Sequence, residues 1–299
     1  MSIFCTISTR SHLFKSLALA DGLNQFGYKL SILLIDESED ALFDIPDYVN
    51  ISNLTAIKES AGLEIIKKYS QNKDKLRWAL KPIWLLELLN KYDKIIYVDN
   101  DIYFYANPSF LFDELNSSKL LLTPHFYPAN PEKMQNWLEA NFKVGLYNAG
   151  FIATNKHAKE MLHWWAKCCL YKLTKSTSRG LFDDQKYLDL LPIQFEGIQI
   201  LKHKGCNLAG WNSMNYQTQG DNMTLKIEHV YPVIFIHFAD LSMRKFSKPT
   251  SAFFPYYQLY ISELRKYKCN YTFNKKQITW YQISSFIDFL IWNLKRIID

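Results

Sequence analysis

Three short apolar runs constrain this chain most: Ile3–Ser8, Leu30–Ile35 and Lys94–Val98, each five or six residues long. None is long enough for a buried helix. Each is nearly continuous rather than alternating, the pattern of a strand covered on both faces. Between them apolar residues recur at helical spacing. In His12–Phe26 the stripe is Leu13, Leu17, Leu19, Ala20 and Leu23, with Gly27 as a stop. Further helices are predicted from about Ala61 and over Leu76–Tyr92, and a further strand over Leu120–Thr123. Strands alternating with helices predict an α/β fold with a mostly parallel central sheet. Such sheets bind ligands beyond the carboxyl ends of their strands, so the residues just after each run carry the functional interest.

The chain has 299 residues, enough for one large domain with an appendage. Its five cysteines form no CxxC pair. An odd, unpaired set argues against a disulfide framework or structural zinc and for a reducing compartment. The N-terminus lacks the pattern of a secretory signal, and no apolar run is long enough to span a bilayer, so a cytoplasmic location is expected. The net charge is +6, and Leu241–Asp299 holds ten Lys/Arg against three Asp/Glu, so all the basic excess lies there. That distribution argues against a nucleic-acid surface spread over the chain and for a local anionic partner.

The sharpest feature is Tyr97-Val98-Asp99-Asn100-Asp101, an apolar strand running into Asp-x-Asp. In an extended segment residues i and i+2 point to one side, so Asp99 and Asp101 are expected to converge. Carboxylates that close repel unless a cation lies between them. A hard divalent ion takes oxygen ligands from both and from a diphosphate, whose charge it neutralises on departure. The competing reading is a solvated acidic turn. His237 follows the apolar run Val233–Ile236 and so also stands at a strand end. A neutral imidazole there can complete a metal site, or bond to a backbone carbonyl.

These residues carry a resemblance. Ala79-Leu80-Lys81-Pro82, the helix through Leu89 and the stretch IIYVDNDIYFY resemble nucleotide-sugar glycosyltransferases of GT-A fold, a Rossmann-like architecture. The likeness is to a bacterial group with an ALKP-type helix and a YLDPDI-type motif, and to the retaining glycogenin-like family. More segments match in order: Tyr147-Asn148-Ala149-Gly150-Phe151, Trp164-Trp165, Phe182 to Tyr187, Cys206 to Asn212, Ile236 to Asp240, and Ser247-Lys248. Asn100 stands where Pro is usual and Asp240 where Gly is usual. The resemblance covers roughly residues 1–250, and leaves 251–299 as a basic, aromatic C-terminal extension.

The resemblance implies a sugar transferred from a nucleotide-diphosphate donor to a hydroxyl of a glycan acceptor, in bacterial surface polysaccharide or lipopolysaccharide synthesis. It implies Mn²⁺ or Mg²⁺ held by Asp99, Asp101 and His237. Asp184 and Gln185 fall near the anomeric carbon. Asp184 acts as general base if the enzyme inverts, and bonds donor hydroxyls with Gln185 by the reacting face if it retains. Thr9, Arg10, Asp36, Lys81, Asn100, Asn148, Gly150, Asn212 and Lys248 are the implied substrate-binding residues. Read without the resemblance, Asn148 to Gly150 is equally a turn, Arg10, Asp36 and Lys81 are equally surface charges, and Asp183-Asp184 is equally a helix cap. At least one of Trp164 and Trp165 belongs in the core.

Tyr281–Ile298 has a helical apolar stripe with flanking aromatics and basic residues. That suits either an anionic membrane interface at the inner face of the cytoplasmic membrane or packing on the domain. Two rival functions stay open. A sugar-nucleotide nucleotidyltransferase shares the fold class, but the loop ISTRSHLF after the first strand has no Gly. A non-catalytic nucleotide-sugar or glycan-binding module would keep the fold without turnover.

Overall fold

The computed structural model describes residues 1–36 and 44–273. One compact unit spans Met1–Cys269 and a second Asn270–Asp299. The stripe of Tyr281–Ile298, and with it the membrane-interface reading, lies outside the described residues. Among the described residues no helix is long and apolar enough to cross a membrane.

In chain order the strands of the first unit are β1 (Ser2–Ser8), β2 (Leu30–Leu34), β3 (Val49–Asn53), β4 (Lys94–Val98), β5 (Ile102–Phe104), β6 (Leu120–Pro124) and β7 (Tyr147–Asn155). They continue with β8 (Lys175–Ser176), β9 (Leu181–Phe182), β10 (Ile198–Ile200), β11 (Thr218–Gln219), β12 (Lys226–Ile227), β13 (Tyr231–Pro232) and β14 (Phe235–His237). The central sheet has seven strands in the order β10, β6, β7, β4, β1, β2, β3. It is parallel except for β7, which runs antiparallel to both β4 and β6. The reversal has a local cause. Between Pro124 and Tyr147 the chain stays at the carboxyl edge, where the His125 N–H donates to the Leu146 carbonyl at 2.9 Å. β7 therefore starts where β6 ends, and its first residues join the carboxyl ends of the parallel strands.

The helices are α1 (Leu13–Asn24), α2 (Ser60–Tyr69), α3 (Lys73–Ala79), α4 (Lys81–Leu88), α5 (Ser109–Glu114), α6 (Gln135–Lys143), α7 (Lys159–Tyr171), α8 (Leu191–Gln194), α9 (Asp240–Phe246) and α10 (Phe254–Tyr267). They cover both faces of the sheet. On one face Ile3, Cys5 and Ile7 of β1 join Ile83, Trp84 and Trp165. On the other Phe4 joins Leu17, Phe104 and Phe112. Burial on both sides is why β1 is a continuous apolar run. Gly27, at φ +80°, ends the turn after α1 as expected.

The single helix predicted over Leu76–Tyr92 is two, α3 and α4, meeting at Leu80. Asn72 caps α3, its side-chain oxygen accepting from the Lys75 N–H at 2.9 Å. Pro82 lies in the first turn of α4, where its missing N–H leaves no helical bond unmade. The break brings Lys81 to the start of a helix, aimed into the molecule. At the far end of the unit α10 packs on α1, and the Tyr267 hydroxyl donates to Asp21 at 2.8 Å.

Candidate active site

β4 delivers Asp99 to the carboxyl edge, and a turn sets Asp101 beside it: the Ile102 N–H donates to the Asp99 carbonyl at 3.1 Å. The two side chains converge, but not for the reason the sequence suggests. A reversal between β4 and β5, rather than the two-residue period of extended chain, places them. His237 comes from β14, which pairs antiparallel with β5 and sets His237 opposite Ile102. Its Nε2 is 3.2 Å from Asp101 Oδ1. Burial opposes charge on both partners, yet each stabilises the other. His237 holds the Asp101 carboxyl well below the usual range, and Asp101 raises the imidazole above its own.

Asp99, Asp101 and His237 each offer a ligand atom within 4.8 Å of the others. Two carboxylates and an imidazole suit Mn²⁺ or Mg²⁺ in donor type. A second observation fits the same group. A Cβ on Gly150 would lie 2.7 Å from His237 Cε1, 2.8 Å from Asn148 Oδ1 and 3.1 Å from Asp99 Oδ2. The cluster therefore closes only around a residue without a side chain. Asn148 braces it: its amide nitrogen is 3.2 Å from His237 Nδ1 and its oxygen accepts the Gly150 N–H at 2.6 Å.

A second ionic cluster adjoins the first. The Lys81 ammonium is 3.3 Å from Asp99 Oδ1 and 3.2 Å from Asp184 Oδ2, and it donates to the Ala149 carbonyl at 3.0 Å. Burial disfavours its charge, but Asp184 and then Asp99 raise its pKa overall. The Asp184 carboxyl is raised first by burial and also by Asp99, with Lys81 opposing. Trp165 fixes the Asp184 backbone, its indole N–H donating to the Asp184 carbonyl at 2.9 Å. Trp165 is fully buried, as expected of one of the two tryptophans.

Along the same edge β1 and β2 bring together other residues that the sequence resemblance implies. The Arg10 backbone N–H donates to Asp36 at 2.8 Å, and Lys73 pairs with the other Asp36 oxygen at 2.8 Å. The Thr9 hydroxyl is 2.9 Å from His12 Nδ1. Asn100 donates to the Ser8 hydroxyl at 3.2 Å, tying the turn to the end of β1. Three further implied residues make no hydrogen bond or ion pair to Asp99, Asp101 or His237 among the described residues. Asn212 is fully buried, and its amide is taken up by the Ala209 N–H and the carbonyls of His125 and Asn207. Gln185 donates to the Val144 carbonyl at 3.2 Å. Lys248 is exposed in the segment after α9, the helix that Asp240 opens.

Several residues of the site went unread in the sequence. The Tyr97 hydroxyl donates to Asp99 Oδ1 at 2.7 Å. Two residues apart at the end of a strand, they share a side, so the signal was there. Asn207 accepts from Asn148 at 3.2 Å, and the Trp211 ring meets His237 edge-on at 5.3 Å between centroids. Nothing local in the sequence points either one at β14.

No protein-family model matches the chain. Two proteins of Bacillus subtilis (strain 168) are similar. The uncharacterized protein YfnD is 27% identical over 252 residues, covering 80% of this chain and 78% of its own length. The uncharacterized protein YfnF is 27% identical over 253 residues, covering 80% and 81%. Among solved structures, galactosyltransferase LgtC in complex with donor and acceptor sugar analogs superposes with a TM-score of 0.50 at 14% identity, over 89% of this chain and 96% of that one. The seven-stranded sheet with one reversed strand, the acidic turn at its carboxyl edge and this superposition agree: the chain has the GT-A-like fold of nucleotide-sugar glycosyltransferases.

Proposed function

We propose that the protein is a metal-dependent glycosyltransferase that moves a sugar from a nucleotide-diphosphate donor to a hydroxyl of a glycan acceptor. One observation carries this reading: Asp99 and Asp101 meet His237, from a remote strand, at the carboxyl edge of a GT-A-like sheet. The structure of LgtC with donor and acceptor sugar analogs supports the same substrate classes for this fold. Asp99, Asp101 and His237 hold the divalent ion, which when bound stabilises the charge of the departing diphosphate.

The chain's own groups do the rest. Lys81 compensates Asp99 and Asp184 and keeps both carboxylates in register. Asp184 is screened from solvent and paired with Lys81, an arrangement that favours holding donor hydroxyls over taking a proton from an incoming acceptor. Arg10, Thr9 and Asp36 line the nucleotide side, and the bare backbone at Gly150 lets His237, Asn148 and Asp99 close together around the ion site. A bacterial surface glycan or lipopolysaccharide acceptor is the finer reading, and it rests on the sequence resemblance alone.

The test is a panel of nucleotide sugars scored for Mn²⁺-dependent donor hydrolysis. One donor is expected to be hydrolysed, and Asp101→Ala is expected to abolish turnover without unfolding the protein. Hydrolysis that survives Asp101→Ala defeats the metal-site reading, and no hydrolysis with any donor defeats the enzyme reading and leaves a binding module.

A further inference from the structure

A chain of rings leads away from the acidic turn. Trp211 meets His237 edge-on at 5.3 Å and His125 at 5.8 Å. His125 stacks on Tyr127 at 4.6 Å with 8° between planes, and Tyr127 stacks on Trp137 at 5.6 Å with 25°. Beyond these rings lie two hollows with a common wall at Met214. One, of about 370 Å³, is bordered by Trp137 and Lys133. The other, of about 270 Å³, is lined by Ser213, Tyr216, Lys245, Ser251 and Phe253. Lys245 stands between the two: its ammonium is 4.0 Å from Met214 sulfur and 6.0 Å from the centre of the Trp137 ring.

The smaller hollow is polar in an unbalanced way. Among the described residues Lys245 has no carboxylate partner; its neighbours are a sulfur, a ring and a second cation, Lys248. Burial, then Lys248, pulls its pKa below the ordinary value. The Tyr216 hydroxyl is buried without a hydrogen-bond partner. Lys81, by contrast, is matched by two acids. A partly buried ammonium and an unpartnered phenol beside serine hydroxyls are complementary to an anion that also accepts hydrogen bonds.

We propose that this hollow seats the acid group, carboxylate or phosphate, of an anionic acceptor sugar, with Lys245 as its counter-charge and Tyr216 as a donor. The aromatic chain then links this hollow to the acidic turn. The inference rests on the sugar-transfer reading for the word acceptor, but the binding site stands on its own residues.

The experiment is ligand-observed NMR titration of the full chain with methyl β-D-glucoside, methyl β-D-glucuronide and glucose 6-phosphate. Either or both anionic probes are expected to bind at least about tenfold more tightly than the neutral one, the scale of one charge-assisted contact. Lys245→Gln is expected to remove that preference. Tyr216→Phe, which breaks no hydrogen bond within the protein, is expected to weaken it. Which anion is preferred separates carboxylate from phosphate. No preference in the native protein, or one that survives Lys245→Gln, overturns the proposal. Donor hydrolysis is scored separately. If Asp101→Ala leaves hydrolysis intact while the anion preference holds, the sugar-transfer reading falls and the anion site remains.

Discussion

The Lys81 ammonium lies 3.2 Å from Asp184 Oδ2, with 3% and 5% of the two side chains exposed. A cation this deep is tolerated only because two carboxylates face it. Removing it strands them. Lys81→Met is expected to cost about 3 kcal/mol or more of folding stability, read by urea unfolding. The double variant with Asp184→Asn is expected to recover part of the loss. Independent, additive costs would show that the pair does not act as one unit.

Gly150 sets the tightness of the acidic turn. Gly150→Ala places a methyl group 2.7 Å from His237 Cε1, so the imidazole has to move. Mn²⁺ is expected to raise the thermal unfolding temperature of the native protein, and Gly150→Ala to weaken Mn²⁺ affinity about 10- to 100-fold, the usual effect of disturbing the support of a metal ligand. Calorimetric Mn²⁺ titration of both proteins checks this. An unchanged affinity would place the ion elsewhere.

Asp183 predicts a pH dependence. Burial, with a smaller push from Asp184, raises its carboxyl to about 6 despite Lys175. The folded protein holds this proton more tightly than the unfolded chain does, so the group stabilises the fold at acid pH and loses that contribution as pH rises towards and past 6. Between pH 5 and pH 7 the native protein is expected to lose about 1 kcal/mol relative to Asp183→Asn. Urea midpoints at the two values decide it, and parallel curves would mean that Asp183 titrates normally.

Asn212 separates a structural amide from a sugar ligand. It is fully buried, and one acceptor and two donor bonds tie residues 207–212 together and to His125. Asn212→Ala is expected to lower stability by about 2 kcal/mol or more, because the Asn207 carbonyl and the Ala209 N–H lose their partner in the interior, while the His125 carbonyl keeps the Trp211 indole N–H. Denaturant unfolding measures the loss. A fully stable variant with poor substrate affinity would instead restore the role that the sequence resemblance implied.

Much of the sheet was legible because its strands are buried on both faces. The runs Ile3–Ser8, Leu30–Ile35 and Lys94–Val98 correspond to β1, β2 and β4 within a residue. β3 was missed because only Val49 of its five residues is buried, so it lacks the apolar run. The helix break at Leu80 was missed because Pro82 in a first turn leaves the apolar spacing undisturbed on either side.

The amino-acid sequence by itself determined that Asp36 follows β2, that Asp99 and Asp101 follow β4, and that Lys81 precedes Pro82, since these depend on neighbours a few residues away. The tertiary structure alone decided that His237 faces Asp101, that Lys81 joins Asp99 to Asp184, and that Asn212 is consumed within the interior. Those contacts depend on which strands pair and where a reversed strand begins, and strand pairing depends on packing across the whole sheet, which local spacing does not encode.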